Sequence, residues 1–174
     1  MVVPSGRISR LAAFALIFAA HCVSAGAPAA GPRALLNKPA PDFAVTDLNN
    51  QPLRLSSFRG KVVLLNFWAT WCAPCETEMP AFTAWQRQYG PEGLQVIGIS
   101  MDDESAPVRR LAKLLKLNYP AAMGDAHLGA RYGGVLGLPL TFLIDRDGII
   151  RARFQGNAGL PRIERRMKEL LSRP

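Results

Sequence analysis

Three stretches of the chain are apolar without alternation: VVLLNFW at 62–68, LQVIGIS at 94–100 and LTFLI at 140–144. Runs of this length, rich in β-branched and aromatic residues, predict strands buried on both faces of a largely parallel sheet. Between the first two, Met79, Phe82, Trp85 and Tyr89 recur at three- and four-residue steps. That period predicts a helix over 73–89 with one core-facing side, although Pro80 inside it removes one backbone hydrogen bond and is expected to bend the axis. Beyond the second run, Val108, Leu111, Ala112 and Leu115 mark another helix, with Asp102, Asp103 or Ser105 as its expected cap. A short strand at 117–122 and one or two helical turns at 126–132 follow. Arg146-Asp147-Gly148 then forms a turn into a strand at 149–154. Pro161 opens a closing helix that buries Ile163, Met167, Leu170 and Leu171. Upstream, partial alternation over 42–55 around Asn49-Asn50 predicts a hairpin, and 56–60 a brief helical turn ending at glycine. Strands joined by helices give parallel neighbours, and the Asp-Gly turn gives an antiparallel edge. The expected fold class is an α/β sheet with helices on both faces and an N-terminal β-hairpin.

The first 25 residues differ in kind. Arg7 and Arg10 precede the uncharged block LAAFALIFAA at 11–20, and Val23-Ser24-Ala25 offers a cleavage site before Gly26. This is the layout of a secretory signal peptide. The block falls short of the about 20 apolar residues of a membrane-spanning helix. An uncleaved anchor and a lipid-modified Cys22 remain as alternatives. Residues 26–39 are rich in Ala, Pro and Gly and read as a linker. The folded domain is expected over 40–174, in a periplasmic or otherwise exported compartment.

Of 174 residues, 49% are hydrophobic, which supports a real core and excludes a disordered chain. The formal charge of +8 raises nucleic-acid binding. The basic residues are scattered, however, and the basic tail is interleaved with Asp145, Asp147, Glu164 and Glu169. A generally basic surface is expected, with no nucleic-acid partner.

Removal of residues 1–25 would take Cys22 and leave Cys72 and Cys75, spaced CxxC, as the remaining cysteines. A structural staple across so short a loop removes little unfolded-state entropy. Zinc would want four ligands, and His127 is the one histidine beyond the export segment. His127 reads as a surface or helix-end residue. Covalent haem would need CxxCH, and residue 76 is Glu. Copper(I) held by two thiolates survives, which makes a copper chaperone the alternative reading. Redox exchange needs an exposed thiolate, a second thiol nearby and a stabilised anion. Cys72 at a helix N-terminus supplies the last through free N–H groups and the helix dipole. Cys75 lies one turn on, more sheltered, and Pro74 stiffens the first turn at no hydrogen-bond cost.

WCAPC after VVLLNFWAT resembles the thioredoxin superfamily, with Trp71 preceding the pair. Pro80 matches the proline of the thioredoxin helix. Gly137-Leu138-Pro139 before LTFLID resembles its cis-proline loop. The PDF hairpin, FRGKVVLLNFWATWCAPC, the ExP of Glu78 to Pro80 and YGGVLGLPLTFLIDRDGII together look like the exported TlpA/ResA/CcmG-type branch, over about Pro39 to Leu171. The resemblance implies a thioredoxin-like fold with a central mixed sheet, a Cys72–Cys75 disulfide and a cis bond at Pro139. It implies that Leu138 and Pro139 form a docking groove for an extended peptide. It also implies a monomeric protein-disulfide reductase without cofactor, acting on exported proteins such as apocytochrome c or copper-site proteins. Its electron donor would be a membrane thiol carrier.

Asn66 stands where thioredoxin carries a buried aspartate, and an amide takes no proton near neutrality. In this branch a glutamate three beyond the second cysteine, here Glu78, is implied to tune or relay the Cys75 proton. The plainer alternative is a helix-start glutamate that only satisfies the dipole, as Glu76 would. A peroxidase of the related peroxiredoxin type would want Thr three before the attacking cysteine, where this chain has Ala69.

Overall fold

The three unbroken apolar runs form the centre of the sheet. The computed structural model describes residues 1–2 and 35–173, so the predicted export segment and most of the predicted linker lie outside the described residues. A hairpin of β1 (Ala44–Thr46) and β2 (Pro52–Arg54) leads into a short 3-10 turn at Leu55–Phe58. Then come β3 (Val62–Trp68), α1 (Ala73–Tyr89), β4 (Leu94–Ser100), α2 (Ser105–Leu114), β5 (Ala121–Met123), α3 (Ala126–Arg131), β6 (Leu140–Ile144), β7 (Ile150–Gln155) and α4 (Leu160–Leu171). The five-stranded sheet has the order β5-β4-β3-β6-β7.

Every residue of β3, β4 and β6 is buried, as expected of strands covered on both faces. Side chains alternate across β3. Val62 and Leu64 pack with Phe82, Trp85 and Tyr89 of α1 and with Ile163 and Met167 of α4. Val63, Leu65 and Phe67 point the other way, toward Leu128, Tyr132 and the hairpin's Phe43 and Leu53. Leu171 is only half-buried, at the edge of the first cluster.

β3 and β4 are parallel, as are β4 and β5, but β6 runs antiparallel to β3 although a helix precedes it. The expectation that helix-joined strands become parallel neighbours fails there. The link through α3 skips the adjacent position and enters on the far side of β3. The result is the mixed sheet that the resemblance implied. The fifth strand starts at Ala121 rather than 117, because Leu117 N–H is taken by Ala112 C=O at the end of α2. The cap of α2 also differs from expectation. Glu104 occupies the position without a side-chain bond, while Asp102 is used elsewhere.

Both sheet edges are covered. Leu48 N–H donates to Ala121 C=O (2.7 Å) beside β5. Asn37 N–H donates to Ile150 C=O (2.8 Å) and Ile150 N–H to Lys38 C=O (3.0 Å) beside β7. These contacts blunt unpaired strand edges. Gly148, at φ 75°, supplies the left-handed residue of the turn before β7. Among the described residues no helix is long and apolar enough to cross a membrane.

Candidate active site

The sheet's central strand delivers the chain to the cysteines. After Trp68 the backbone turns, with Cys72 N–H donating to Ala69 C=O (3.1 Å). Cys72 is the N-cap of α1, and Cys75 N–H points at its Sγ (3.3 Å). Sulfur thus takes the place of the usual capping oxygen, which is where a thiolate gains most from free N–H groups and the helix dipole. Pro74 sits in the first turn, where no amide hydrogen is needed. Cys72 and Cys75 are joined as a disulfide with their Cα atoms 5.3 Å apart.

The sequence asked for an exposed attacking thiol. Cys72 is only 5% exposed and Cys75 1%, so the order is as expected but neither sulfur is broadly open. Exposure lies instead in the frame. Trp71, directly before the pair, is 71% exposed, and Leu136, before the cis-proline loop, is 87% exposed. Beneath the pair lie Trp68, Ala69, Met79 and Val108, with Leu138 packed against the same cluster. The Leu138–Pro139 bond is cis. Pro139 C=O is held by Gly156 N–H (2.9 Å), which ties the loop to the residue after β7.

Two buried polar groups lie on the elements before and after the redox pair, Asn66 on β3 and Glu78 on α1. Asn66 of β3 is 3% exposed, and its Nδ2 donates to Thr141 Oγ1 (2.9 Å) on β6. The two residues are direct cross-strand partners. On its other side Asn66 faces Gly98 of β4, where a Cβ would come within 3.0 Å of Trp68 Nε1. Glu78 is the opposite case. It is 5% exposed, and Oε2 has no hydrogen-bond partner among the described residues. Burial pushes its carboxyl up from 4.5 to about 7. Glu76 is exposed in the first turn, so the plain dipole role is filled without Glu78. A cleft of about 450 Å³ opens beside Glu78, between Pro74 and Thr77 on one wall and Asn157, Leu160 and Pro161 on the other. Sequence reasoning missed that second wall, because residues some eighty positions apart meet only through the docking of α4.

It also missed the strap before Cys72. The Asp102 carboxylate accepts from Thr70 N–H (2.9 Å), Thr70 Oγ1 (2.5 Å) and Ser100 Oγ (2.7 Å). This explains why Asp102 does not cap α2. It also engages the Thr70 hydroxyl, and the position a peroxidase would need for Thr is Ala69, which is buried. His127 is exposed in the first turn of α3. No group of three or more His, Cys, Asp or Glu capable of holding a metal occurs among the described residues.

The arrangement therefore offers two sulfurs at a positive helix end, a cis-proline loop next to them and one buried carboxyl whose pKa is raised to about 7. Residues 36–153 match the AhpC/TSA family. The chain is 36% identical over 135 residues to the thiol-disulfide oxidoreductase ResA of Bacillus thuringiensis subsp. konkukian (strain 97-27), spanning 78% of each protein. It is 35% identical over 131 residues to ResA of Geobacillus kaustophilus, spanning 75% of each. Its structure resembles a putative thiol:disulfide interchange protein DsbE from Chlorobium tepidum, with a TM-score of 0.73, 28% identity and coverage of 79% of this chain and 98% of that one. A putative protein disulfide isomerase from Bacteroides thetaiotaomicron matches with a TM-score of 0.69, 29% identity and coverage of 79% and 91%.

Proposed function

The chain belongs to the AhpC/TSA family and is a thiol–disulfide oxidoreductase of the TlpA/ResA/CcmG-like branch of the thioredoxin superfamily, and on that premise we propose that it works outside the cytoplasm as a reductase of protein disulfides. The observation that carries the reading is the placement of Cys72 Sγ as the cap of α1, with Cys75 N–H directed at it.

In the proposed cycle the dithiol form is active. The Cys72 thiolate attacks one sulfur of a partner disulfide, forming a mixed disulfide and expelling the partner's other sulfur as a thiolate that takes up a proton. Cys75 then loses its proton, and the buried Glu78 carboxylate, with its pKa near 7, is suited to accept it. The Cys75 thiolate attacks Cys72 Sγ and releases the partner's second thiolate. Two electrons have passed to the partner, and the enzyme is left as the Cys72–Cys75 disulfide. A membrane thiol carrier would restore the dithiol by the same exchange in reverse.

Leu138 and Pro139 are assigned to peptide docking. The packing of Leu138 against the cysteine cluster supports this, and proline presents no competing N–H to an incoming strand. Trp71 and Pro74 shape the rim. The substrate class is exported proteins whose cysteines must be reduced before haem or copper is inserted. The N-terminal 25 residues serve as export signal or anchor and the stretch after them as tether, shorter than the expected 26–39 because Asn37 and Lys38 pair with Ile150 as part of the catalytic domain, which acts as a monomer. The copper-chaperone alternative gains no third ligand among the described residues.

The experiment is a partner trap. Cys75→Ser, exported in its native form, should accumulate mixed disulfides through Cys72 that mass spectrometry identifies as cysteine-bearing exported proteins, while Cys72→Ser should trap none. Equal trapping by both variants would overturn the division of labour. A wild-type pair that stays closed at every accessible potential would overturn the reductase reading itself.

A further inference from the structure

Away from the cysteines, a second cleft of about 360 Å³ lies between α2, β5 and the hairpin turn. Its floor is apolar, from Leu48, Leu117 and Ala121, and its rim carries Arg109 and Lys113. Those two are one helical turn apart on α2, and Arg110 and Lys116 extend the same charge beyond the cleft. None of the four has an ion pair or side-chain hydrogen bond among the described residues. No acid lies within α2 itself. The nearest hairpin acid, Asp47, is occupied by the Asn49 and Gln51 amides.

Tyr119 lines the cleft, is 8% exposed, and its hydroxyl has no partner among the described residues. Burial pushes its pKa upward, so it stays a neutral donor. The ring is buried while the hydroxyl stays open to the cleft, where it can donate to a bound acceptor.

The chain itself offers no match for this surface. Residues 3–34 contain no Asp or Glu, and the whole chain carries +8, which opposes a second copy. On α2, Arg109 and Lys113 are separated by about 6 Å of helix rise, a spacing that two carboxylates of one peptide segment can bridge. We propose that this cleft docks an acidic peptide segment of a partner protein, with carboxylates on Arg109 and Lys113, an acceptor on Tyr119 Oη and an apolar side chain on the Leu48–Leu117 floor. The apolar floor also favours a peptide over the flat headgroup plane of a membrane. Part of that floor belongs to the cluster that supports Cys72 and Cys75, so a partner held here remains on the same molecule that performs the exchange and gains effective concentration.

The test uses the full chain and a fluorescein-labelled peptide of alternating Glu and Leu, with a Gln-for-Glu peptide and phosphatidylglycerol vesicles as comparisons. The expected result is salt-sensitive binding of the Glu peptide, with amide shifts at Asn49 and Tyr119. Arg109→Gln combined with Lys113→Gln should weaken it about tenfold at unchanged melting temperature. Four results would each overturn the proposal: no binding, equal binding of the Gln peptide, binding indifferent to the double substitution, or binding to the vesicles alone. Failure here leaves the partner trap untouched, since that experiment depends on the cysteines.

Discussion

Asn66 on the strand before the redox pair and Glu78 on the helix that carries it are both buried, and the protein treats them in opposite ways. Asn66 is neutral and bonded to Thr141 at 2.9 Å. Glu78 has an unpartnered carboxyl oxygen and a pKa raised to about 7. The strand is fixed on both sides by neighbouring strands, so a polar group there can be satisfied by register. The first turns of the helix border an open cleft, so a polar group there can remain available. In the proposed cycle the proton step therefore falls to the helix and not to the sheet. An unpartnered buried carboxyl is costly in stability and is the kind of group found where protons are handled.

The comparison presupposes that the pair is the reacting centre, and the largest expected effect tests that. Cys72→Ser should abolish disulfide reduction, measured as loss of turnover with a protein disulfide, whereas Cys75→Ser should retain attack and stall. Next, Asn66→Asp places an ionisable group where the sheet now has none. With one hydroxyl donor near it, its charged form should cost about 3 kcal/mol at pH 8, read by urea denaturation of the oxidised protein, and far less at pH 4. Equal cost at both pH values would mean that the strand position is not shielded from solvent.

A smaller effect follows from Glu78→Gln. The folded pKa of Glu78 lies above the unfolded value of 4.5, so between about 4.5 and 7 the native state holds a proton that the unfolded state has lost. Stability from this group is full below pH 4.5 and declines as pH rises to about 7. The substitution should therefore leave stability unchanged at pH 4.5 and raise it by on the order of 1 kcal/mol at pH 8, with solvent in the cleft screening the rest. It should also slow the second step of exchange, seen as longer-lived mixed disulfide near neutrality. A flat difference across pH would remove Glu78 from the contrast. The smallest effect is expected from Thr70→Val, which removes one of the two Thr70 bonds to Asp102 and should cost about 1 kcal/mol. Its checkable signature is faster motion of Trp71 in fluorescence anisotropy.

Much of the site was legible beforehand because its parts are local. A cysteine before a helix, another one turn later and a proline in the first turn define their relation by helix geometry alone. The bounds of β3, α1, β4 and β6 coincide with the apolar runs and the aromatic period. Errors gathered where a residue had two possible partners. Asp102 looked like a helix cap, and a carboxylate serves equally well as a strap. The preference for Thr70 and Ser100 depends on where β3 and β4 end in space. Likewise β6 could be identified as a strand, but its direction depends on which side of β3 the returning chain enters.

By itself the sequence determined which residues are apolar at which period, where helices start and which thiols stand one turn apart. These depend on neighbours within a few positions, and backbone geometry converts them directly into shape. Only the tertiary structure decided that Asn66 meets Thr141, that Glu78 lacks a partner and faces a cleft closed by α4, and that Cys72 sits 5% exposed beneath an open Trp71. Burial and hydrogen-bond satisfaction are properties of packed surfaces from distant segments. The same carboxyl has its pKa at 4.5 in water and at about 7 once other elements have excluded the solvent around it.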